Sequence, residues 1–338
     1  MRKELVRMSS TKKGGLVILA LGIAVILTTL LSMCFGPTGL PFGRIIATLF
    51  GFGSPKENLI VFTYRMPRLM LSILVGIGMG VSGAIMQSLL RNDMASPGTL
   101  GISSGSGLFM ILYVILFFGD EYSDFMLPVL ALMGGITSAG LIFLFSRKKG
   151  VPISPTKLIL TGVAISGAYG SAQLLLTLTL EETKIDFVQK WQAGDLWGTE
   201  WKYVIILAVW LLIFVGWAYY KATTLNTINL GYDIATGLGV NLNKQFIILA
   251  LCAVATASAT VAFGGNFFFL GLISPHIARK IIGSNNKILM PASALVASLI
   301  VLVGDMLARN IGFLIGVPAG IVITVISIPY FLYLLSKA

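Results

Sequence analysis

Apolar segments of about 20 residues recur along most of this chain, and they limit what it can fold into. Their length matches the hydrocarbon thickness of a lipid bilayer. Charged residues make up only 11% of the 338 residues, less than half of the roughly 25% found in soluble domains. Because lipid cannot hydrogen-bond backbone N–H and C=O groups, segments of this kind must be helical. The sequence therefore predicts an all-α membrane protein that crosses the bilayer many times.

The hydropathy pattern predicts about ten transmembrane helices within one domain, residues 1–338. We expect them over residues 15–35, 61–90, 99–118, 126–146, 156–180, 202–220, 244–263, 268–282, 288–306 and 313–335. The first of these follows a basic N-terminus, as a signal peptide would, but it lacks a small-x-small cleavage site and is expected to be retained. Ten spans place both termini on the same side of the membrane.

The distribution of basic residues predicts which side that is. With the termini in the cytoplasm, the cytoplasmic segments hold roughly two thirds of the 24 Lys and Arg residues, as the positive-inside rule requires. The formal net charge of +11 is then a consequence of topology. No nucleic-acid partner is needed to explain it.

The residue inventory argues against an enzyme. His276 is the single histidine, and no catalytic grouping, metal-ligand cluster or P-loop is present, so we predict no catalytic and no metal-binding residues. Residues 78–83 match the dinucleotide fingerprint G-x-G-x-x-G, but they lie in the middle of a predicted membrane helix without a preceding strand. Small residues recur there every four positions, which favours close helix packing instead. They are Ser72, Gly76, Gly80, Ala84 and Ser88, with Gly83 beside them.

Polar side chains inside the predicted spans allow two interpretations. Gln87 lies near the inner end of the second span, and Thr161 and Gln173 lie in the fifth. Each could form a hydrogen bond between helices or line a polar path through the protein. The sequence leaves both interpretations open.

Three arginines are predicted at the extracellular ends of helices, where basic residues are less common. Arg65 and Arg68 precede the second span, and Arg309 follows the ninth, one helical turn after Asp305. Their side chains could snorkel to lipid headgroups. The planar guanidinium also suits bidentate contacts with carboxylates of a docking partner. An ion pair between Asp305 and Arg309 is expected from their spacing.

The longest cytoplasmic connection, residues 221–244, carries apolar residues close to helical spacing, interrupted by glycines. It predicts one or two short helices outside the membrane, the alternative being a plain connector of unusual length.

Several motifs, in this order, resemble the iron-siderophore and vitamin B12 importer permeases of the ABC superfamily, the FecCD family. They are R-M-P-R at 65–68, G-x-x-x-Q at 83–87, R-N-D-M-A-S-P-G-T-L-G at 91–101, F-L-G-L-I-S-P-H-I-A-R at 269–279, G-D-M-L-A-R at 304–309 and V-P-A-G-I-V at 317–322. The resemblance covers nearly the whole chain.

The resemblance implies the type II importer permease fold and an assembly in a bacterial plasma membrane. Two permeases, identical or homologous, would join two cytoplasmic ATPases that use ATP and Mg²⁺, and an extracellular substrate-binding lipoprotein would deliver an iron-siderophore. This chain would bind no cofactor itself. Haem or cobalamin are alternative cargoes within the same family.

The resemblance also implies roles for individual residues. Arg65, Arg68 and Arg309 would dock the binding protein, and Asn92, Asp93 and Met94 would form the cytoplasmic gate. The ATPase would be coupled through six residues of the 221–244 connection: Asp233, Ala235, Gly237, Leu238, Gly239 and Val240. The chain departs from the family at the gate, where Asn-Asp-Met-Ala replaces the common Asn-Pro-Leu-Ala.

An alternative interpretation of the sequence is a transporter or channel that is driven by an ion gradient. Such proteins carry carboxylates or broken-helix ion sites within the membrane. Every Asp and Glu of this chain is expected in a loop or at a helix end, which argues against proton coupling.

Overall fold

The computed structural model describes residues 2–36, 39–98, 100–117, 126–146 and 155–336, and within them every regular element is helical. The helices in chain order are α1 (Arg2–Cys34), α2 (Phe42–Leu49), α3 (Pro55–Asn58), α4 (Met66–Leu90), α5 (Ile102–Phe117), α6 (Met126–Ser146), α7 (Pro155–Thr177), α8 (Glu182–Gln192), α9 (Trp201–Tyr220), α10 (Ala222–Asn229), α11 (Tyr232–Gly237), α12 (Leu242–Gly264), α13 (Leu270–Ile282), α14 (Asn286–Asn310) and α15 (Ala319–Leu335). A π-helical segment, Leu59–Arg65, joins α3 to α4, and a 3₁₀ turn, Gly312–Leu314, follows α14.

A helix stands at each of the ten predicted positions, and the all-α membrane fold is confirmed. Seven stretches of the described chain are long and apolar enough to cross a bilayer: Lys13–Cys34, Pro55–Leu90, Met126–Ser146, Thr156–Thr177, Trp201–Tyr220, Leu242–Gly264 and Asn286–Asn310. Helices α5 and α15 are apolar but shorter. Helix α13 has 13 residues, about 20 Å of length, so it reaches only part of the way through a bilayer.

Several predicted boundaries were wrong. Helix α1 begins at Arg2 instead of residue 15, and α15 begins at Ala319 instead of residue 313. The sequence also gave no signal for α2, or for α8, which follows α7 after a short turn. Both are too short to stand out in a hydropathy profile, because the profile responds to apolar runs of membrane length.

Helix α4 lies at the centre of the bundle and packs against α9, α12, α13 and α14. Its small residues allow this. A Cβ added at Gly76 or Gly80 would overlap the backbone of α14 at Ser298 or Ser293, and one at Gly83 would overlap the carbonyl of Gly271 in α13. The small-residue stripe therefore packs α4 against its neighbours, and the G-x-G-x-x-G match lies within this packed helix.

Candidate functional site

Two of the three predicted arginines, Arg68 and Arg309, meet at one end of the bundle around the carboxylate of Asp305, whose side chain is fully buried. Arg68 donates to Asp305 Oδ1 from Nε at 3.0 Å and from Nη2 at 2.8 Å. Arg309 donates from Nε to Asp305 Oδ2 at 2.9 Å. The ion pair expected between Asp305 and Arg309 is present, and Arg68 completes a three-membered cluster.

Further contacts tie this cluster to its surroundings. Arg68 Nη2 lies 3.4 Å from Asp195, in the segment between α8 and α9. Arg309 Nη2 donates to Ser32 of α1 at 3.2 Å, and Arg65 donates to the backbone carbonyl of Met33. The cluster thereby connects α1, α4, α14 and the α8–α9 segment.

The three arginines differ in how much of their surface is exposed. Arg65 is buried, with 7% of its surface accessible, whereas the side chains of Arg68 and Arg309 are 24% and 25% exposed. The Asp305 interactions engage the guanidinium groups of Arg68 and Arg309 within the protein, so headgroup snorkelling does not account for their placement. Docking of a partner onto their exposed edges stays a prediction.

At the opposite end of α4, the predicted gate residues form a tight loop. Helix α4 is closed by Arg91 in the left-handed conformation, with φ of 50°, and the Asn92 amide donates to the Gln87 carbonyl at 3.1 Å. The Asn92 side chain accepts from the Met94 amide at 2.9 Å. Asp93, half exposed, forms an ion pair with Arg279 of α13. The residue that departs from the family pattern thus fastens the loop to a neighbouring helix.

The polar residues within the helices have different surroundings. Gln87 is buried and donates to the Leu272 carbonyl at 3.0 Å, which is the interhelical hydrogen bond that one interpretation expected. Gln173, in α7, donates to the Ser104 carbonyl at 2.7 Å and accepts from Gln192 at 3.2 Å, so it joins α7 to α5 and α8. Thr161 is partly exposed on the same helix.

Helix α7 presents an unusual surface. Only 11% of its membrane-length window is buried, the smallest share among the seven candidate spans, and its mean hydropathy is also the lowest of the seven. Its exposed residues include Gly167, Gly170 and Ser171, and a Cβ at either glycine would meet no neighbouring atom. Large apolar side chains are exposed on the same helix, among them Leu160, Leu174 and Leu175. The unburied surface of α7 therefore mixes small residues with large apolar ones.

The 221–244 connection folds into the short helices α10 and α11, so the short-helix prediction is correct and the plain-connector alternative is wrong. Of the six residues assigned to coupling, Ala235 is buried and Val240 is half-buried. The other four are exposed: Asp233, Gly237, Leu238 and Gly239. Exposed Leu230 and Ile234 add apolar surface. The two helices border a groove of about 510 Å³.

Helix α11 contacts the end of α4 directly. The Tyr232 hydroxyl donates to the Leu89 carbonyl at 2.8 Å, and the Arg91 guanidinium lies 5.7 Å from the centre of the Tyr232 ring. Burial raises the pKa of Tyr232, and the nearby Arg91 charge offsets part of that rise. The hydroxyl therefore remains a protonated donor at neutral pH.

Sequence reasoning missed Tyr232, Asp195 and the pairing of Arg279 with Asp93. Tyr232 could have been found, because it lies in the segment already assigned to coupling. The two ion pairs could not, since they join residues far apart in the chain with no periodic pattern between them.

Comparisons with known proteins agree with this architecture. The model of the FecCD transport family matches residues 24–337. The chain belongs to the FecCD transport family. Among its relatives, the iron(3+)-hydroxamate import system permease protein FhuG of Bacillus subtilis strain 168 is 38% identical, over 98% of this chain and 99% of the relative. The Fe(3+)-citrate import system permease protein YfmE of the same organism is also 38% identical, over 96% of each chain.

A solved structure supports the same conclusion for this FecCD-family chain. It is described as an inward-facing conformation of a metal-chelate type ABC transporter. It superposes with a TM-score of 0.82 at 25% identity, covering 95% of this chain and 99% of the other. The fold of this chain is therefore that of an ABC transporter permease.

Proposed function

We propose that this chain is the permease subunit of an ATP-driven importer of iron-siderophore complexes. The observation that carries the proposal is the match of the FecCD transport family model over residues 24–337. The hydrogen bond from Tyr232 to Leu89 supports the proposed mechanism, because it connects the proposed coupling segment to the helix that precedes the proposed gate loop. Relatives named for import of ferric hydroxamate and ferric citrate support the cargo class. The chain transports its substrate without forming a covalent bond to it.

The assembly consists of two permease copies, identical or homologous, and two cytoplasmic ATPase subunits in the plasma membrane of a bacterium. The hydrolysis of ATP with Mg²⁺ takes place in the ATPases. Both termini of the permease lie in the cytoplasm, so the Asp305 cluster faces outward and α11 faces inward. The largely unburied surface of α7 lines the passage between the two permeases.

Delivery begins at the extracellular end. A substrate-binding protein with acidic surface residues docks onto the exposed edges of Arg68 and Arg309, with Arg65 behind them. Complementary charge of this kind sets orientation and association rate more than affinity. The chelate is then released over the passage.

Coupling proceeds at the cytoplasmic end. When the ATPases close, they move the exposed apolar surface of α10 and α11. Tyr232 transmits this displacement to Leu89 and Arg91, and the loop at Asn92, Asp93 and Met94 changes position. Because packed helices switch between discrete arrangements instead of stretching, the gate alternates between closed and open states.

A transporter driven by an ion gradient is the competing function, and Asp305 is the residue that such a reading would use. It is a buried carboxylate within α14, but Arg68 and Arg309 both pair with it. Both oxygens of this carboxylate accept hydrogen bonds from guanidinium groups, so Asp305 is engaged in structural ion pairs and is poorly placed to bind a transported ion. This arrangement favours the ATP-driven mechanism.

Uptake by reconstituted components tests the proposal. Proteoliposomes would contain the permease with its partner ATPase, and the external binding protein would be supplied with a panel of ⁵⁵Fe-labelled hydroxamate, catecholate and citrate chelates, with haem and cobalamin as alternative cargoes. We expect uptake of a ferric chelate only when ATP, the ATPase and the binding protein are all present. Uptake by the permease alone, driven by a proton or sodium gradient, would show the proposal to be wrong.

A further inference from the structure

The turn after α14 exposes two large apolar side chains close to the arginine cluster. Phe313 is 83% exposed, more than any other large apolar side chain among the described residues, and Ile315 is 68% exposed. The residues between and after them point the other way. Leu314 and Val317 pack against Ala308 of α14 and the start of α15. The alternation places Phe313 and Ile315 on the outer side of the turn.

This turn is held in place by backbone hydrogen bonds. The Leu314 amide donates to the Ile311 carbonyl at 2.8 Å, and the Val317 amide donates to the Leu314 carbonyl at 2.9 Å. Gly316 then adopts a φ of +88°, which lets the chain reverse toward α15. Side chains fixed on such a turn lose little conformational freedom when they bind a partner.

Under the proposed topology, the turn lies at the extracellular end of the bundle, beyond the hydrocarbon layer. Helix α14 has 25 residues, about 37 Å of length, whereas the hydrocarbon core is about 30 Å thick. The buried Asp305 and its arginines occupy the last two turns of this helix, and Phe313 follows beyond its end. Apolar surface that is exposed outside the hydrocarbon core has a higher free energy than apolar surface in contact with lipid tails, because it is in contact with water or headgroups.

The charges beside the turn indicate the chemistry of its partner. The side chains of Arg68 and Arg309 remain 24% and 25% exposed beside the turn. Arg309 precedes Phe313 by only four residues. A polar, charged rim around a few apolar anchors is the usual anatomy of a protein interface.

We propose that Phe313 and Ile315 are the apolar anchor of the docking surface for the substrate-binding protein. The partner would present an apolar pocket flanked by carboxylates, the pocket taking Phe313 and the carboxylates meeting Arg68 and Arg309. This inference rests on the proposed function, since it names the contact through which the delivering protein is held.

The test measures binding kinetics on the permease–ATPase complex in lipid nanodiscs. The probe is the binding protein that supports uptake in the liposome assay above. We expect Phe313→Ser and Ile315→Ser each to weaken binding about ten-fold, through faster dissociation, with the salt dependence of association unchanged. Phe145→Ser is the matched control, because Phe145 is 71% exposed near the end of α6, which the proposed topology places on the cytoplasmic side. It should bind like the wild type.

The possible outcomes distinguish a wrong assignment of Phe313 and Ile315 from a wrong proposed function. If the wild-type complex binds no such protein, the proposed function fails. If the wild type binds and both serine variants bind equally well, the anchor is wrong while the function stands. Size-exclusion profiles and thermal unfolding matching the wild type would confirm that the serine variants are folded.

Membrane lipid is the competing occupant, and a Phe313→Trp variant tests it. Its fluorescence, after subtraction of the wild-type signal, would be recorded in nanodiscs containing brominated lipids. A blue shift only when the binding protein is added supports the anchor. Strong quenching by brominated lipid that the binding protein does not relieve would overturn it.

Discussion

Asp305 is a buried carboxylate that forms ion pairs with two arginines, Arg68 and Arg309. An isolated carboxylate in a buried position is strongly disfavoured, so it needs cationic partners with good hydrogen-bond geometry. Arg68 and Arg309 supply them from two different helices, and both remain partly exposed. The same guanidinium groups can therefore stabilise the fold with one edge and face a docking partner with the other.

Replacing Asp305 with Asn should destabilise the protein. Arg68 and Arg309 would lose the carboxylate that they share. Removing one member of a buried ion pair lowers the free energy of unfolding by about 3–5 kcal/mol. Because both arginines are partly exposed, we expect a smaller decrease, of about 2 kcal/mol. Thermal unfolding of the purified protein in detergent measures the effect. Asp186→Asn, which breaks the exposed pair with Lys190, should change nothing measurable. Unaltered stability with abolished uptake in Asp305→Asn would instead indicate an ion-coupling carboxylate.

Replacing Asp93 with Asn should loosen the gate loop, because the ion pair with Arg279 holds it against α13. Exposed ion pairs contribute about 0.2–1 kcal/mol, which corresponds to a factor of about 1.4 to 5. We therefore expect maleimide labelling of a Met94→Cys reporter, in a Cys34→Ser, Cys252→Ala background, to be about 1.4- to 5-fold faster. Asp93→Glu should label like the parent, and the exchanged pair Asp93→Arg with Arg279→Asp should restore slow labelling. Equal labelling rates in all variants would show that the ion pair between Asp93 and Arg279 does not hold the loop in place.

Helices of this bundle approach each other closely where the facing residues are small. Between α4 and α14, Gly76 and Gly80 bring the two backbones together, and the Ser298 hydroxyl donates across the gap to the Ile73 carbonyl at 2.9 Å. In a bilayer the hydrophobic effect does not drive helices together, so packing and interhelical hydrogen bonds have to do so.

Gly80→Leu should separate α4 from α14. The added side chain would overlap the Ser293 carbonyl, and overpacking of this kind costs about 1–3 kcal/mol or more. Folded yield and thermal unfolding in detergent provide the measurement. Gly140→Leu in α6 is the matched control, since a Cβ there meets no neighbouring atom, and it should behave like the wild type. Equal stability of the two variants would show that the stripe does not determine packing.

The elements differ in how far the sequence could predict them. Apolar length identified the long spans, and four-residue spacing of small residues identified the packing face of α4, because both patterns are local. The cluster at Asp305 was only half predictable. Its pairing with Arg309 follows from helical spacing, whereas its pairing with Arg68 joins positions 237 residues apart. Such contacts depend on how the helices are arranged, which no local pattern specifies.

On the scale of the whole molecule, α4 connects the two functional ends. Arg68 lies in its first turn, in the Asp305 cluster, and Leu89 lies in its last, against α11. The helix packs along its length against α9, α12, α13 and α14. In the proposed mechanism, α4 would carry a displacement from Tyr232 to the Asp305 cluster, and docking at that cluster would act on the ATPase through the same helix.

Tyr232→Phe should weaken the coupling between ATP hydrolysis and uptake while leaving the assembly intact. The substitution removes the hydroxyl that donates to Leu89 at 2.8 Å but keeps the ring beneath Arg91. A hydrogen bond of this kind contributes about 1 kcal/mol, so we expect roughly a five-fold fall in chelate imported per ATP hydrolysed. ATPase activity and ⁵⁵Fe uptake, measured on the same proteoliposomes, give this ratio. Tyr220→Phe, at the exposed end of α9, should keep the wild-type ratio. If Tyr232→Phe also kept it, α11 would have to act on the gate through its apolar contacts alone, and the proposed route through Leu89 would be wrong.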